Sequence, residues 1–389
     1  MSNSSSEKQH PAHVLGLDVI RTIAILMVML GHYANNISFW LGFPPPTKLF
    51  FSGEIGVELF FVLSGFLIGG LLLEIIAVAP TLQNLGIFMV RRWMRTLPLY
   101  YLWLFVSLLF FPPLTDLTKT AISFGTMTQN LAWPMPGPGY FFSVTWSLTI
   151  EEWFYLLFAT ILISSVAAFG QRKAIWISLA AFLTLPLALR LGYTPFSVWS
   201  NGLQTVVIFR LDEIAYGVLV VVLYQRGSAV FRYPWLCAAV GGFLIGAVWS
   251  GHWWPIPVTL LPAVIFNLTT IGAALLFPLA LRLRDAPKLI AIPIRAIAKQ
   301  SYALYLMHLT ILVDLAQALW LRKMISTPTA IIIAVVAPFV LSYLSYCFFE
   351  SPLLRMRPKQ HLRPYTMPSA FPLPDDRSSG PNLTLGTLD

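Results

Sequence analysis

Three ionisable residues stand where an apolar helix should not carry them. Asp18 and Arg21 open the stretch Leu17-Asp18-Val19-Ile20-Arg21, and ten residues separate Arg21 from His32, with Thr22 the single hydroxyl among them. On a helix, Asp18, Arg21 and His32 fall within about 60° of one another. His32 then lies about 16 Å deeper than Arg21, near the middle of a bilayer. An imidazole there is a functional hypothesis by default, because an unpartnered polar group in hydrocarbon is costly. The competing account has Asp18 and Arg21 capping the helix at the headgroups and His32 bonded to a neighbouring helix.

Four further stretches carry chemistry-bearing side chains at helical spacing. In Phe88-Met89-Val90-Arg91-Arg92-Trp93-Met94-Arg95, Arg92 and Arg95 are one turn apart on one face. Paired guanidinium groups suit phosphates, which they bind bidentately; a basic cluster also serves as a topology signal or headgroup contact. Ser147, Glu151 and Tyr155 follow at i, i+4 and i+8. Glu151 and Glu152 inside an apolar run need at least one basic partner, and Arg21, Arg210 and His32 are the candidates. Arg210, Glu213 and Gly217 share a face beside Asp212, as an intrahelical ion pair or a substrate contact. Ser301, Tyr305 and His308 share another, and His308 is a second imidazole within an apolar run.

The elements that must position these groups are membrane helices. Of 389 residues, 57% are hydrophobic and 11% charged, with a mean hydropathy of +0.74; soluble domains carry about 25% charged residues. Apolar runs of bilayer length recur at 19–40, 56–77, 96–112, 144–166, 174–190, 210–225, 234–250, 258–282, 301–321 and 330–349. They predict an all-α integral membrane protein of about ten transmembrane helices. Residues 1–13 form a polar tail, 14–355 the transmembrane domain and 356–389 a disordered tail rich in Pro, Ser and charge. The Pro/Gly-rich link 113–143 has room for a re-entrant piece or a lid.

Charge sets the orientation. With a cytoplasmic N-terminus, the even-numbered connections hold Arg91, Arg92 and Arg95, then Arg172 and Lys173, Arg226 and Arg232, and the basic run from Arg282 to Lys299. The opposite loops are poor in Lys and Arg, so the positive-inside bias places both termini in the cytoplasm. The net charge of +9 therefore reads as topology, not nucleic-acid binding. The first apolar run is too long for a cleavable signal peptide, and no small-residue cleavage site follows it.

Other chemistries find no support. Cys237 and Cys347 sit in apolar runs without activating charges. No His/Cys/Asp/Glu cluster has metal-ligand spacing, and no Gly-x-Ser-x-Gly elbow or phosphate-binding glycine loop occurs. Ser64-Gly65 reads as close helix packing through small residues. A transporter or flippase would use the same intramembrane ionisable groups, but it predicts internal repeats and interrupted helices in matching halves, which the sequence lacks.

In order along residues 14–355, these segments resemble the acyltransferase-3 family of integral membrane acyltransferases. The resemblance rests on Asp18, Arg21 and His32, on Phe61-Val62-Leu63-Ser64-Gly65-Phe66, on Arg92, Arg95 and Pro98, and on Trp146-Ser147-Leu148 with Glu151 and Phe154-Tyr155. It continues through Arg210 and Asp212, Ser301-Tyr302 with Tyr305 and His308, and Glu350-Ser351-Pro352. Trp153 departs from it, standing where a polar residue is common. No appended soluble acyl-transfer domain is recognisable.

The resemblance implies transfer of an acyl group, usually acetyl, from cytoplasmic acyl-CoA to a hydroxyl. The acceptor it implies is a glycan or lipid-linked sugar of the envelope, or alternatively a small natural product. On this reading acetyl-CoA is the donor, no metal is needed, and the enzyme is a multi-pass protein of the cell membrane. His32 is the catalytic base with Glu151 in support, and Arg92, Arg95 and Arg21 hold CoA. Asp18, Ser147, Tyr155, Arg210, Asp212, Tyr305 and His308 support the substrate or the site. Direct transfer and a brief acyl-histidine both fit.

Overall fold

A computed structural model describes residues 14–44, 46–113, 116–131, 141–192, 203–250 and 261–358, all helix, turn or connection without a β-strand among them. The predicted polar tail, nearly all of the predicted disordered tail and the Pro/Gly cluster at 134–139 lie outside the described residues. The helices are α1 (Leu15–Trp40), α2 (Thr47–Val78), α3 (Leu82–Phe110), α4 (Leu117–Gly125), α5 (Trp146–Gly192), α6 (Leu211–Gln225) and α7 (Pro234–Ser250). They continue with α8 (Leu261–Leu275), α9 (Phe277–Ala280), α10 (Lys288–Leu309), α11 (Ala318–Leu321), α12 (Thr327–Ser345) and α13 (Ser351–Arg355). Residues Thr310–Gln317 and Tyr346–Glu350 are wider π-helical turns, so α10 runs unbroken into α11 and α12 into α13.

Among the described residues, six helical stretches are long and apolar enough to cross a membrane, and Pro234–Ser250 and Val264–Ala280 are shorter apolar helices. The predicted runs 144–166 and 174–190 fall on either side of Gly170, whose non-helical φ of 73° and ψ of 161° divide α5 into two helices at a kink. Several helices begin earlier than their apolar runs. Helix α3 starts at Leu82, where Thr81 caps it by accepting from the Asn84 amide at 3.2 Å. Arg91, Arg92, Arg95 and Pro98 are therefore inside α3 and do not precede it. Hydropathy places these arginines outside the helix because they are charged, whereas they line a cavity and not lipid. The link 113–143 contains α4, capped by Asp116 on the Lys119 amide.

Helix α2 is the centre of the bundle, with α1 and α6 against it, α10 against α1, and α5 against α6. The α2–α6 crossing explains Gly65. A Cβ on Gly65 would sit 1.9 Å from the Ile214 carbonyl oxygen, and one on Gly217 would sit 2.1 Å from that of Val62. Two glycines facing each other let the backbones meet, as small residues do between membrane helices. Gly65→Ala is expected to destabilise the fold by about 1–3 kcal/mol, the usual cost of overpacking. A thermal melt in detergent or nanodiscs checks this.

Candidate functional site

A cavity of about 590 Å³ opens at the end of the bundle that carries the start of α1 and the end of α2. One face of α2 lines it from Val57 through Phe60, Phe61, Ser64, Leu67, Ile68 and Leu71 to Glu74. At 1.5 Å per residue these positions extend about 26 Å along the helix, so the cavity is long. Its mouth carries Glu74, Arg91 and Arg357; Arg21, Arg92 and Arg95 line it further along; Ser147 and Tyr305 line its inner part. Five guanidinium groups thus face two carboxylates, Glu74 and Glu151, which makes the lining strongly positive.

Arg92 is engaged within that lining. Its Nη2 lies 3.0 Å from Glu151 Oε2 and donates to the Tyr155 hydroxyl at 2.8 Å. The Tyr155 hydroxyl donates to the same carboxylate oxygen at 2.7 Å, and Ser64 Oγ donates to the other at 3.1 Å. Glu151 therefore finds Arg92, and not Arg21, Arg210 or His32. The i, i+4 spacing of Glu151 and Tyr155 makes this local triangle possible. Glu152 points elsewhere and accepts from Thr96 Oγ1 at 2.8 Å. Arg21 and Arg95 make no ion pair among the described residues. Asp18 is buried one turn before Arg21.

The two imidazoles meet. His32 Nδ1 is 3.0 Å from His308 Nε2, with ring centroids 5.1 Å apart. His308 Nδ1 lies 3.0 Å from the Leu304 carbonyl and 2.9 Å from that of Tyr305. Carbonyls only accept, so neutral His308 must carry its proton on Nδ1 and present a lone pair at Nε2. His32 then donates from Nδ1, leaving its own Nε2 with a lone pair. The chain of hydrogen bonds selects the tautomer in which His32 is ready to accept a proton. His308 is fully buried and His32 half-buried. His32 does not itself line the cavity; the contacts between them run through Tyr305, whose ring lies 6.0 Å from that of His308. The Tyr305 hydroxyl meets Ser147 Oγ at 2.5 Å and donates to the Val144 carbonyl at 3.0 Å.

Arg210 and Asp212 belong to a separate network at the other end of the bundle. Asp212 receives both Nη groups of Arg190, at 2.9 and 2.5 Å, and neither side chain is exposed. Arg210 pairs with Glu58 at 2.8 Å and approaches Glu213 at 2.6 Å. Thr270 Oγ1 donates to Glu58 at 2.5 Å, and the Arg210 guanidinium lies 3.8 Å from the centre of the Phe266 ring. This network ties α2, α5, α6 and α8 together, and none of its charged side chains lines the large cavity. Sequence reasoning passed over Glu58 and Arg190, although a charge inside an apolar run is the signal that would have found them. The sequence reading took Ser64 for close helix packing, whereas its hydroxyl donates to Glu151, and it left Arg357 in the tail, whereas Arg357 lines the cavity.

The described residues thus form a helical bundle with six stretches long and apolar enough to cross a membrane, around a long cavity lined by five arginines. The acyltransferase-3 family pattern, described as an acyltransferase domain, matches residues 14–347, and the chain belongs to that family. It is 26% identical over 374 residues to the peptidoglycan O-acetyltransferase OatA of Listeria monocytogenes, covering 88% of this chain and 56% of that protein. It is 24% identical over 391 residues to the O-acetyltransferase OatA of Staphylococcus aureus, covering 88% and 57%. The chain thus spans little more than half the length of these relatives. No solved structure matches it.

Proposed function

We propose that this chain O-acetylates a cell-envelope glycan in the cell membrane, drawing the acetyl group from acetyl-CoA on the cytoplasmic side. The observation that carries this reading is the cavity itself. Five guanidinium groups outnumber the two carboxylates in its lining, and its inner part carries the Ser147 and Tyr305 hydroxyls. A polyanionic, elongated thioester matches that length and charge. The apolar runs support about ten crossings, and the positive-inside bias agrees with both termini, and with them the mouth, on the cytoplasmic side. The glycan acceptor rests on the names of the relatives.

In this mechanism Arg95 and Arg21 hold donor phosphates, and Arg92, pinned by Glu151 and Tyr155, fixes the wall against which the donor threads. His32 Nε2 takes the proton of the acceptor hydroxyl as its oxygen attacks the thioester carbonyl. The C–S bond breaks, and the imidazolium returns the proton to the CoA thiolate. His308 acts through His32 as a positioning residue, by fixing its tautomer. Asp18 balances Arg21, whereas Arg210 and Asp212 serve the fold.

The test is transfer in proteoliposomes. Label from acetyl-CoA is expected to appear as base-labile ester on added peptidoglycan fragments, and not when Arg92 and Arg95 are both Ala. A folded protein that transfers no label from acetyl-CoA to any hydroxyl acceptor would overturn the reading.

A further inference from the structure

Just after α13, Arg357 and Pro358 lie at the cavity mouth. Arg91 donates from Nη1 to the Pro358 carbonyl, and this tether brings Arg357 into the cavity lining beside Arg91, Arg92 and Arg95. Arg357 Nε and Nη2 are buried and have no hydrogen-bond partner among the described residues. Burial and the neighbouring Arg91 and Arg92 push the Arg357 guanidinium below its ordinary value. No carboxylate pairs with Arg357 among the described residues. A half-buried cation among cations, with two buried donors unmade, is a site short of an anion.

From this we infer that Arg357, held in place by Arg91, is a phosphate-binding residue for the nucleotide end of the donor. The C-terminal segment thereby lets the enzyme discriminate acyl-CoA from thioesters that lack phosphates. This inference rests on the acyl-CoA reading and deepens it. Arg92 is already committed to Glu151 and Tyr155, so it is the less available guanidinium. The mouth is where a donor entering thioester-first leaves its phosphates, and Arg357 is there. An anionic lipid headgroup offers the same chemistry from a different source.

The test measures binding of acetyl-CoA, acetyl-dephospho-CoA and acetyl-pantetheine to the full chain in nanodiscs of phosphatidylcholine, with or without phosphatidylglycerol. Wild type is expected to prefer acetyl-CoA over acetyl-pantetheine. Arg357→Ala should shrink that preference by about 10- to 100-fold, the range for losing a charge-assisted hydrogen bond, and Arg357→Lys should restore part of it. An undiminished preference in Arg357→Ala, in either membrane, overturns the inference. So does a loss seen only with phosphatidylglycerol, which assigns Arg357 to lipid. If the folded wild type binds none of the three, the acyl-CoA reading falls instead, and this inference with it.

Discussion

His32→Ala is expected to lower the turnover of acetyl transfer by about 10²–10⁴-fold, the range that a positioned general base supplies. Donor affinity should change little, because His32 does not line the cavity. That division between turnover and binding separates a base from a residue that merely shapes the donor site. His308→Ala should fall in the same direction by a smaller factor. Without it, His32 loses the acceptor for its Nδ1 proton, and part of the population presents the wrong tautomer. Steady-state rates beside equilibrium binding of acetyl-CoA, on variants shown to insert and fold, make the comparison. Wild-type turnover in His32→Ala would remove the imidazole from the mechanism. A large rise in donor Kd would move it into the donor site.

The second large effect concerns stability. Arg190→Ala is expected to cost roughly 3–5 kcal/mol, the penalty for leaving one member of a buried pair charged and alone. Here Asp212 would lose both Nη contacts with no water to replace them. Most of that protein should fail to reach a folded state. Removing both charges with Arg190→Met and Asp212→Leu should recover much of the stability, because an apolar pair of similar volume avoids the desolvation altogether. Thermal melts of wild type, single and double variants in one detergent give the coupling directly. A single variant that melts with wild type would show that water or lipid headgroups already screen the pair.

The residues of interest were legible in the sequence because a membrane makes them conspicuous. His32, Glu151, Arg210, Asp212 and His308 interrupt apolar runs, and such groups persist only where something compensates them. The i, i+4 spacing of Glu151 and Tyr155 and the i, i+3 spacing of Arg92 and Arg95 follow from helical geometry alone. The all-helical class also followed, since a chain in lipid must satisfy its backbone internally. The early starts of α1, α2 and α3 did not. Within α3, Arg91, Arg92 and Arg95 line the cavity, and hydropathy cannot tell a polar residue facing a cavity from one in a loop.

The sequence by itself determined that charges are buried in this protein, which helices carry them, and which neighbours on one helix share a face. Only the tertiary structure decided who compensates whom. Glu151 takes Arg92 from a helix more than fifty residues earlier, His32 takes His308 across most of the chain, and Arg357 reaches the cavity through a backbone tether. Each pairing depends on how rigid helices cross, and a crossing is set by the close approach of small residues such as Gly65 and Gly217. Local spacing fixes direction along one helix. The low dielectric demands a partner, and the packing between helices chooses it.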